Sequence, residues 1–227
     1  MAVYKGQQLE EQSIYGSSRL GLVNYASKTG YRSLGGKKYE LSNHLGNVLA
    51  VVSDNIHLDQ DSTWTSLINT TDYYPFGLAM DGRSVQDSTY RYGFQGQEKD
   101  DEMHNATGTS YDFGARIYDP RIGRWLSLDM KSSKYPAHSP YGFVANNPVL
   151  NVEVDGNVFV TYIKVKNAET GKTEVQKVTF DGVRTTMQRF VKGATVGEAV
   201  EYTSGTSAFV DDMVTSYKYM VDNGAEV

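Results

Sequence analysis

YDFGARIYDPRIGRWLSLDMKSSKYPAHSPYGFVANNPVLNVEVDG, residues 111–156, decides the fold. It holds two Tyr-Asp steps (Tyr111-Asp112 and Tyr118-Asp119), an Arg124-Trp125 pair and Asn146-Asn147-Pro148. Ile117-Tyr118, then Asp119-Pro120-Arg121-Ile122-Gly123, then Arg124-Trp125-Leu126 read as strand, turn and strand. Asp opens the turn by bonding backbone two residues on, Pro fixes φ, and Gly takes the left-handed position. From Lys131 to Pro148 the texture changes. Pro136, Pro140 and Pro148 exclude a continuous central strand, Tyr141–Asn146 reads as a short helix ending at Asn147, and Asn147-Pro148 turns the chain.

The same alternation runs upstream. The chain has 17 Tyr against 8 Phe and 2 Trp, with 22 Gly, a mixture that suits short strands with one packed face joined by tight turns. Strands are expected at Ser13–Tyr15 and Arg19–Tyr25. Tyr39–Leu41 and Val48–Ser53 flank a hairpin loop at 43–47. Val48–Val52 is continuously apolar and is expected to be buried on both faces. Residues 54–70 read as a polar loop, and Asp72–Phe76 and Thr89–Phe94 as strands split by Met80–Ser84. Gly46, Gly108 and Gly123 each hold a turn.

Composition changes after Gly156. Val158–Val165 and Thr173–Phe180 alternate around a turn at 167–172, a β-hairpin. Thr185–Lys192 places Met187, Phe190 and Val191 at helical spacing, and Phe209–Val221 is an amphipathic helix. The tail therefore reads ββαα. The expected architecture is mainly β: an antiparallel hairpin sheet with a plug-like core end, followed by a small α+β tail. Its parts are residues 1–38 leading in, 39–156 as core, and 157–227 as tail.

Composition closes off several functions. There are no cysteines, hence no disulfides, thiol nucleophiles or Cys-based zinc sites. The net charge of −5 argues against a sequence-blind nucleic-acid surface. Mean hydropathy is −0.48, and no apolar run approaches the roughly 20 residues that span a bilayer. The first residues, MAVYKGQQLEEQ, contain no apolar signal-peptide core. His44, His57, His104 and His138 make no metal set, and the tail contains no His. Gly193–Gly197 lacks the ending of a phosphate-binding loop. Asp211-Asp212 and Glu198/Glu201 read as solvated acids, and the glycosylation pattern at Asn69 and Asn105 is common by chance. No cofactor and no metal are expected.

These motifs resemble the core domain that ends RHS, or YD-repeat, proteins. Tyr118-Asp119-Pro120, Gly123-Arg124-Trp125-Leu126, Asp129 and Asn146-Asn147-Pro148 match that family's text. So do the upstream stretches Tyr15–Gly21, Tyr39–Val48, Asp72–Gly77 and Glu98–Glu102, in the same order, over residues 9–156. The resemblance implies a hairpin sheet that forms or caps a β-shell, in a secreted or cell-surface protein serving as adhesin or effector carrier. This chain is too short to enclose a cargo, so its sheet edges are expected to be open and covered by another polypeptide, a larger surface or secretion-associated protein. Neither nucleic acid nor membrane insertion enters that expectation.

Some members cut their own chain with paired aspartates, just past Asp-Pro-x-Gly. Two close carboxyls can divide into acid and base. The resemblance maps this chemistry onto Asp100 (with Asp101 as its neighbour), Asp119 and Asp129, supported by Arg116, Arg124 and Trp125, with a scissile bond after Asn157. Glu153-Val154-Asp155-Gly156 stands where the family has Asp-Pro-Asp-Gly, and Asp129-Met130 where it has Asp-Pro. These departures favour a non-enzymatic scaffold that presents its tail to a partner. A self-cleaving aspartyl core releasing a C-terminal toxin is the alternative.

Overall fold

A computed structural model describes residues 2–15, 19–25, 36–58, 63–85, 87, 90–134, 138–167, 170–180, 185–191, 194–208, 210–212, 214 and 215. The chain is mainly β and divides into two compact units, Met1–Gly108 and Thr109–Val227.

In the first unit, β1 (Ala2–Lys5), β2 (Gln8–Tyr15), β3 (Arg19–Asn24), β4 (Lys37–Ser42), β5 (Val48–Leu58) and β6 (Thr63–Thr70) form one antiparallel sheet in chain order. The β4–β5 loop is set by Asn43, whose Oδ1 accepts from the Leu45 and Asn47 amides, both at 3.0 Å. Gly46 takes φ +84° there. Leu22, Val48 and Val51 on one sheet face pack with Tyr90 and Tyr92, all buried. Gly77 lies so close to the Phe94 ring that a Cβ would sit 2.4 Å from it. A short strand, β7 (Glu98–Lys99), bridges back to Tyr92.

One polar staple crosses this packed face. Arg19 donates from Nε to Glu40 at 2.6 Å and from its guanidinium to the Gly96 carbonyl at 2.8 Å. It lies 3.4 Å from the Tyr92 ring centroid. The Tyr90 hydroxyl donates to the same Glu40 carboxylate, and burial, then Glu40, raises the Tyr90 phenol far above its ordinary value. Arg91 adds bonds to Glu11 at 2.5 Å and Glu98 at 2.6 Å.

Several expectations give way here. Leu49 is 38% exposed beside buried Val48 and Val51, and Val52 is only half-buried, so β5 is buried on one face. The polar run at 54–70 is the end of β5 and β6, with residues 59–62 outside the described set. β6 (TWTSLINT) pairs along β5; pairing supplies what apolarity lacks. Asp72–Phe76 is a turn closed by a single Tyr73–Ala79 bridge, and residues 90–94 carry only the Tyr92–Glu98 bridge. Thr89 is outside the described residues.

In the second unit, β8 (Tyr111–Asp112), β9 (Ile117–Asp119) and β10 (Arg124–Trp125) form an antiparallel meander. Tyr111 pairs with Tyr118, and Tyr118 with Trp125, so three aromatics stand in one cross-strand row. Phe113 and Phe143 close over them: Tyr118 stacks on Phe143 at 4.0 Å, and Phe113 meets Trp125 edge-on at 5.1 Å. All five rings are buried.

Residues 141–146 are not the expected right-handed helix. Val144–Asn146 is a single 3-10 turn of the left-handed kind, with φ of +42°, +54° and +56°. Such conformations cost L-residues about 1–2 kcal/mol each. The stack on Phe143 and the Asn151 Nδ2 bond to the Val144 carbonyl at 3.0 Å hold it, and Asn151 Oδ1 in turn accepts from Thr161 at 2.6 Å.

A second sheet runs β11 (Asn151–Glu153), β12 (Phe159–Lys166), β13 (Thr173–Phe180), β14 (Thr185–Val191) and β15 (Ala194–Glu201) in order. The β12–β13 hairpin is as expected. Thr185–Val191, expected as a helix, is a strand between β13 and β15, and Lys192 is outside the described residues. Three of its seven residues are β-branched, and so short a helix cannot compete with two ladders. The tail therefore carries more strand and one helix fewer than ββαα. Ala208, Val210–Asp212, Val214 and Thr215 are helical, and Val210 packs on Ile163 and Val178. The rest of the expected helix, 216–221, lies outside the described residues.

Two outcomes follow for stability. Arg19→Met leaves the Glu40 carboxylate buried without its charge partner and should cost about 3–5 kcal/mol in urea unfolding. Combining it with Glu40→Leu should recover part of that loss. Ala145→Gly relieves a left-handed alanine and should raise stability by about 0.5–1 kcal/mol.

Candidate functional site

The titratable groups converge in the second unit, on Arg116. Its guanidinium is 5% exposed and pairs with Asp129 at 3.0 Å. It donates from Nε to the Gly156 carbonyl and from Nη1 to the Pro140 carbonyl at 3.3 Å, and lies 4.1 Å from the Trp125 ring centroid. Trp125, the end of the aromatic row, thus forms the floor beneath the charge. Burial pulls the guanidinium below its ordinary value, while Asp129 and Glu153 push the other way.

Gly156 is fixed from two sides. The Ala115 amide donates to the Asp155 carbonyl at 3.2 Å. Gly156 has φ +80°, and a Cβ there would lie 3.0 Å from the Arg116 backbone nitrogen. Asp155 Oδ1 accepts from the amides of Asn157 and Val158 at 2.9 and 3.1 Å, so the bond expected to be scissile, after Asn157, lies in an ordered turn between β11 and β12.

Sequence reasoning missed Glu153 as a site residue. It is 3% exposed, and burial pushes its carboxyl up to about 7 despite the pull of Arg116; Asp155 and Asp129 add to the rise. Its sequence signal was a glutamate where the RHS proteins it resembles carry aspartate, which says nothing about burial.

The other candidates separate. Asp119 is 3% exposed and is taken up by its own turn: it accepts from the Arg121 amide at 2.9 Å and from the Arg121 guanidinium at 2.6 Å. Pro120 is buried and Gly123 has φ +65° in that turn. Asp129 also accepts from the Lys131 amide at 2.7 Å. Arg124 stays exposed and faces Asp119 across the β9–β10 ladder. Asp100 belongs to the first unit, as does Asp101, which accepts from the amide of buried Gly108 at 2.7 Å. The Asn147 carbonyl accepts from the Asn151 amide at 3.0 Å, and Pro148 is buried beside it. Structure thus brings together Arg116, Trp125 and Asp129, and adds Glu153 and Gly156. Among the described residues no His, Asp and Glu cluster is placed to hold a metal, and no helix is long and apolar enough to cross a membrane.

The chemistry of the cluster is that of a clamp on one carbonyl. Arg116→Lys loses both the fork and the stacking plane and should destabilise the second unit by about 2–4 kcal/mol, close to the effect of Arg116→Met, measured by thermal and urea unfolding. If lysine restores wild-type stability, the guanidinium geometry is not what holds the turn.

No protein-family profile matches the chain. Salivary gland surface protein 1 of Aedes aegypti is 36% identical over 93 residues, 40% of this chain and 2% of that protein. Toxin subunit YenC1 of Yersinia entomophaga is 36% identical over 104 residues, 44% of this chain and 10% of that subunit. Toxin subunit YenC2 of the same organism is 28% identical over 151 residues, 62% of this chain and 14% of that subunit. The chain is therefore similar to short segments of much longer surface and toxin proteins.

Proposed function

We propose that this chain is a structural and interaction module of an RHS-type secreted or cell-surface protein, in which it forms or caps part of a β-shell and presents its C-terminal sheet to a partner. The observation that carries the reading is a row of apolar side chains on one face of the six-stranded sheet, several of them exposed. Ile14, Gly21, Tyr39, Val52 and Leu67 stand in one cross-strand row, opposite to the face packed by Tyr90 and Tyr92. Tyr39 is 37% exposed, Leu41 on the same face 56% and Leu67 61%. A contiguous apolar face of this kind is an interaction surface, and the sheet ends in the edges β1 and β6, which invite further strands. Similarity to toxin subunits and to a surface protein supports the secreted setting.

Leu41→Lys with Leu67→Lys should change unfolding free energy by less than about 1 kcal/mol, because both side chains are already wet. The same pair should abolish co-purification of the chain with its partner under native conditions. Wild-type material that isolates as a bare, monodisperse monomer would overturn the reading.

A second reading, the self-cleaving core, is favoured by one observation: Arg116 holds the Gly156 carbonyl and is flanked by Asp129 and Glu153. Asp129, paired with Arg116, suits a base that takes a proton from water as the water oxygen bonds to the Gly156 carbonyl carbon. Glu153, whose carboxyl burial raises to about 7, suits an acid that gives its proton to the Asn157 nitrogen as the Gly156–Asn157 bond breaks. The bond would lie one residue before the one expected from sequence. This reading requires intact-mass spectra of aged protein to show a fragment ending at Gly156 that disappears in Asp129→Asn; full-length chain alone over days at pH 5–8 contradicts it.

A further inference from the structure

Glu153 sits on β11 at the base of the turn that Arg116 clasps, and its side chain is almost wholly enclosed. The charged groups around it come from three directions. Arg116 comes from the β8–β9 turn, Asp129 from the segment after β10, and Asp155 from its own hairpin. Asp129 also lines a cavity of about 30 Å³ with His138, whose ring burial lowers below its ordinary value. With Glu153 neutral, the cluster holds one cation and two anions. With Glu153 ionised it holds three anions against one cation, and two of those anions are enclosed with the arginine.

We propose that the Arg116–Gly156 contact is a pH-sensitive clasp, shut while Glu153 is neutral and loosened when Glu153 ionises. Ionisation buries a charge that opening of the β11–β12 turn would return to water. The clasp joins the aromatic meander to the second sheet through Arg116–Gly156 and Ala115–Asp155, so loosening it frees the turn at Asp155–Val158 for a protease or a partner. The inference does not depend on the proposed function: it concerns the folded chain whatever binds it.

The sign follows from linkage. A carboxyl whose folded pKa, about 7, lies above its unfolded value of 4.5 gives stability that is fully present below the unfolded value. That stability is lost as pH rises through the folded value. Between pH 6 and 8.5 the opening equilibrium of the turn should rise about tenfold, taking one pKa unit as tenfold.

Hydrogen exchange of the full chain at pH 6 and 8.5, corrected for intrinsic rates and followed in peptides covering residues 151–160, tests this. The wild type should show the tenfold rise and Glu153→Gln should show none. Asp155→Asn changes an exposed side chain, keeps an oxygen for the turn amides, and removes one repelling anion, so its rise should be smaller than in the wild type. Equal protection at the two pH values in the wild type, or a rise in Glu153→Gln as large as in the wild type, would overturn the clasp.

Discussion

The cross-strand row Tyr111–Tyr118–Trp125 is the constraint on which the second unit depends. Strands of two or three residues have almost no ladder of their own, so β8, β9 and β10 exist because their aromatic side chains share one buried face. Phe113 and Phe143 complete that face, and Phe143 can do so only because the chain after it turns left-handed at Val144–Asn146. One of these rings, Trp125, forms the plane on which Arg116 rests. A guanidinium so enclosed must satisfy its donors nearby, and it does so with Asp129, the Pro140 carbonyl and the Gly156 carbonyl. Packing, strain and charge are thus one arrangement, and it ends at the turn leading from β11 to β12.

The first unit solves a different problem. Its sheet is long and one-faced, closed on one side by Tyr90 and Tyr92 and pinned by Arg19 to Glu40. The other side keeps tyrosine and leucine in water. An arrangement that encloses a Glu40–Arg19 pair while leaving Tyr39 and Leu41 exposed makes sense if the second face has its own occupant.

Local chemistry was legible in the sequence and non-local pairing was not. The turn at Asp119–Gly123 could be read because Asp119 bonds the amide two residues on, an interaction contained within the motif. The Asn43–Gly46 loop and the β12–β13 hairpin were readable for the same reason. Thr185–Val191 was misjudged because Met187, Phe190 and Val191 fit a helical period as well as a strand, and only the neighbours β13 and β15 decide between them. Residues 54–70 looked like loop because Thr, Ser and Asn are polar, yet 54–58 extend β5 and Thr63–Thr70 pairs with it as β6. In the site, Arg116, Trp125 and Asp129 were visible as motif residues. Glu153 was not, since its character comes from enclosure rather than from its letter.

The proposed scaffold role requires that the exposed row on the first sheet be occupied in the working protein. Hydroxyl-radical footprinting of Tyr39, Leu41 and Leu67 tests it most directly, comparing the assembly isolated from its source with the same chain stripped of bound protein and refolded. Strong protection of these three side chains in the assembly and high reactivity in the stripped chain is the predicted result. Equal, high reactivity in both would contradict the account, because the face would then be bare where the protein works.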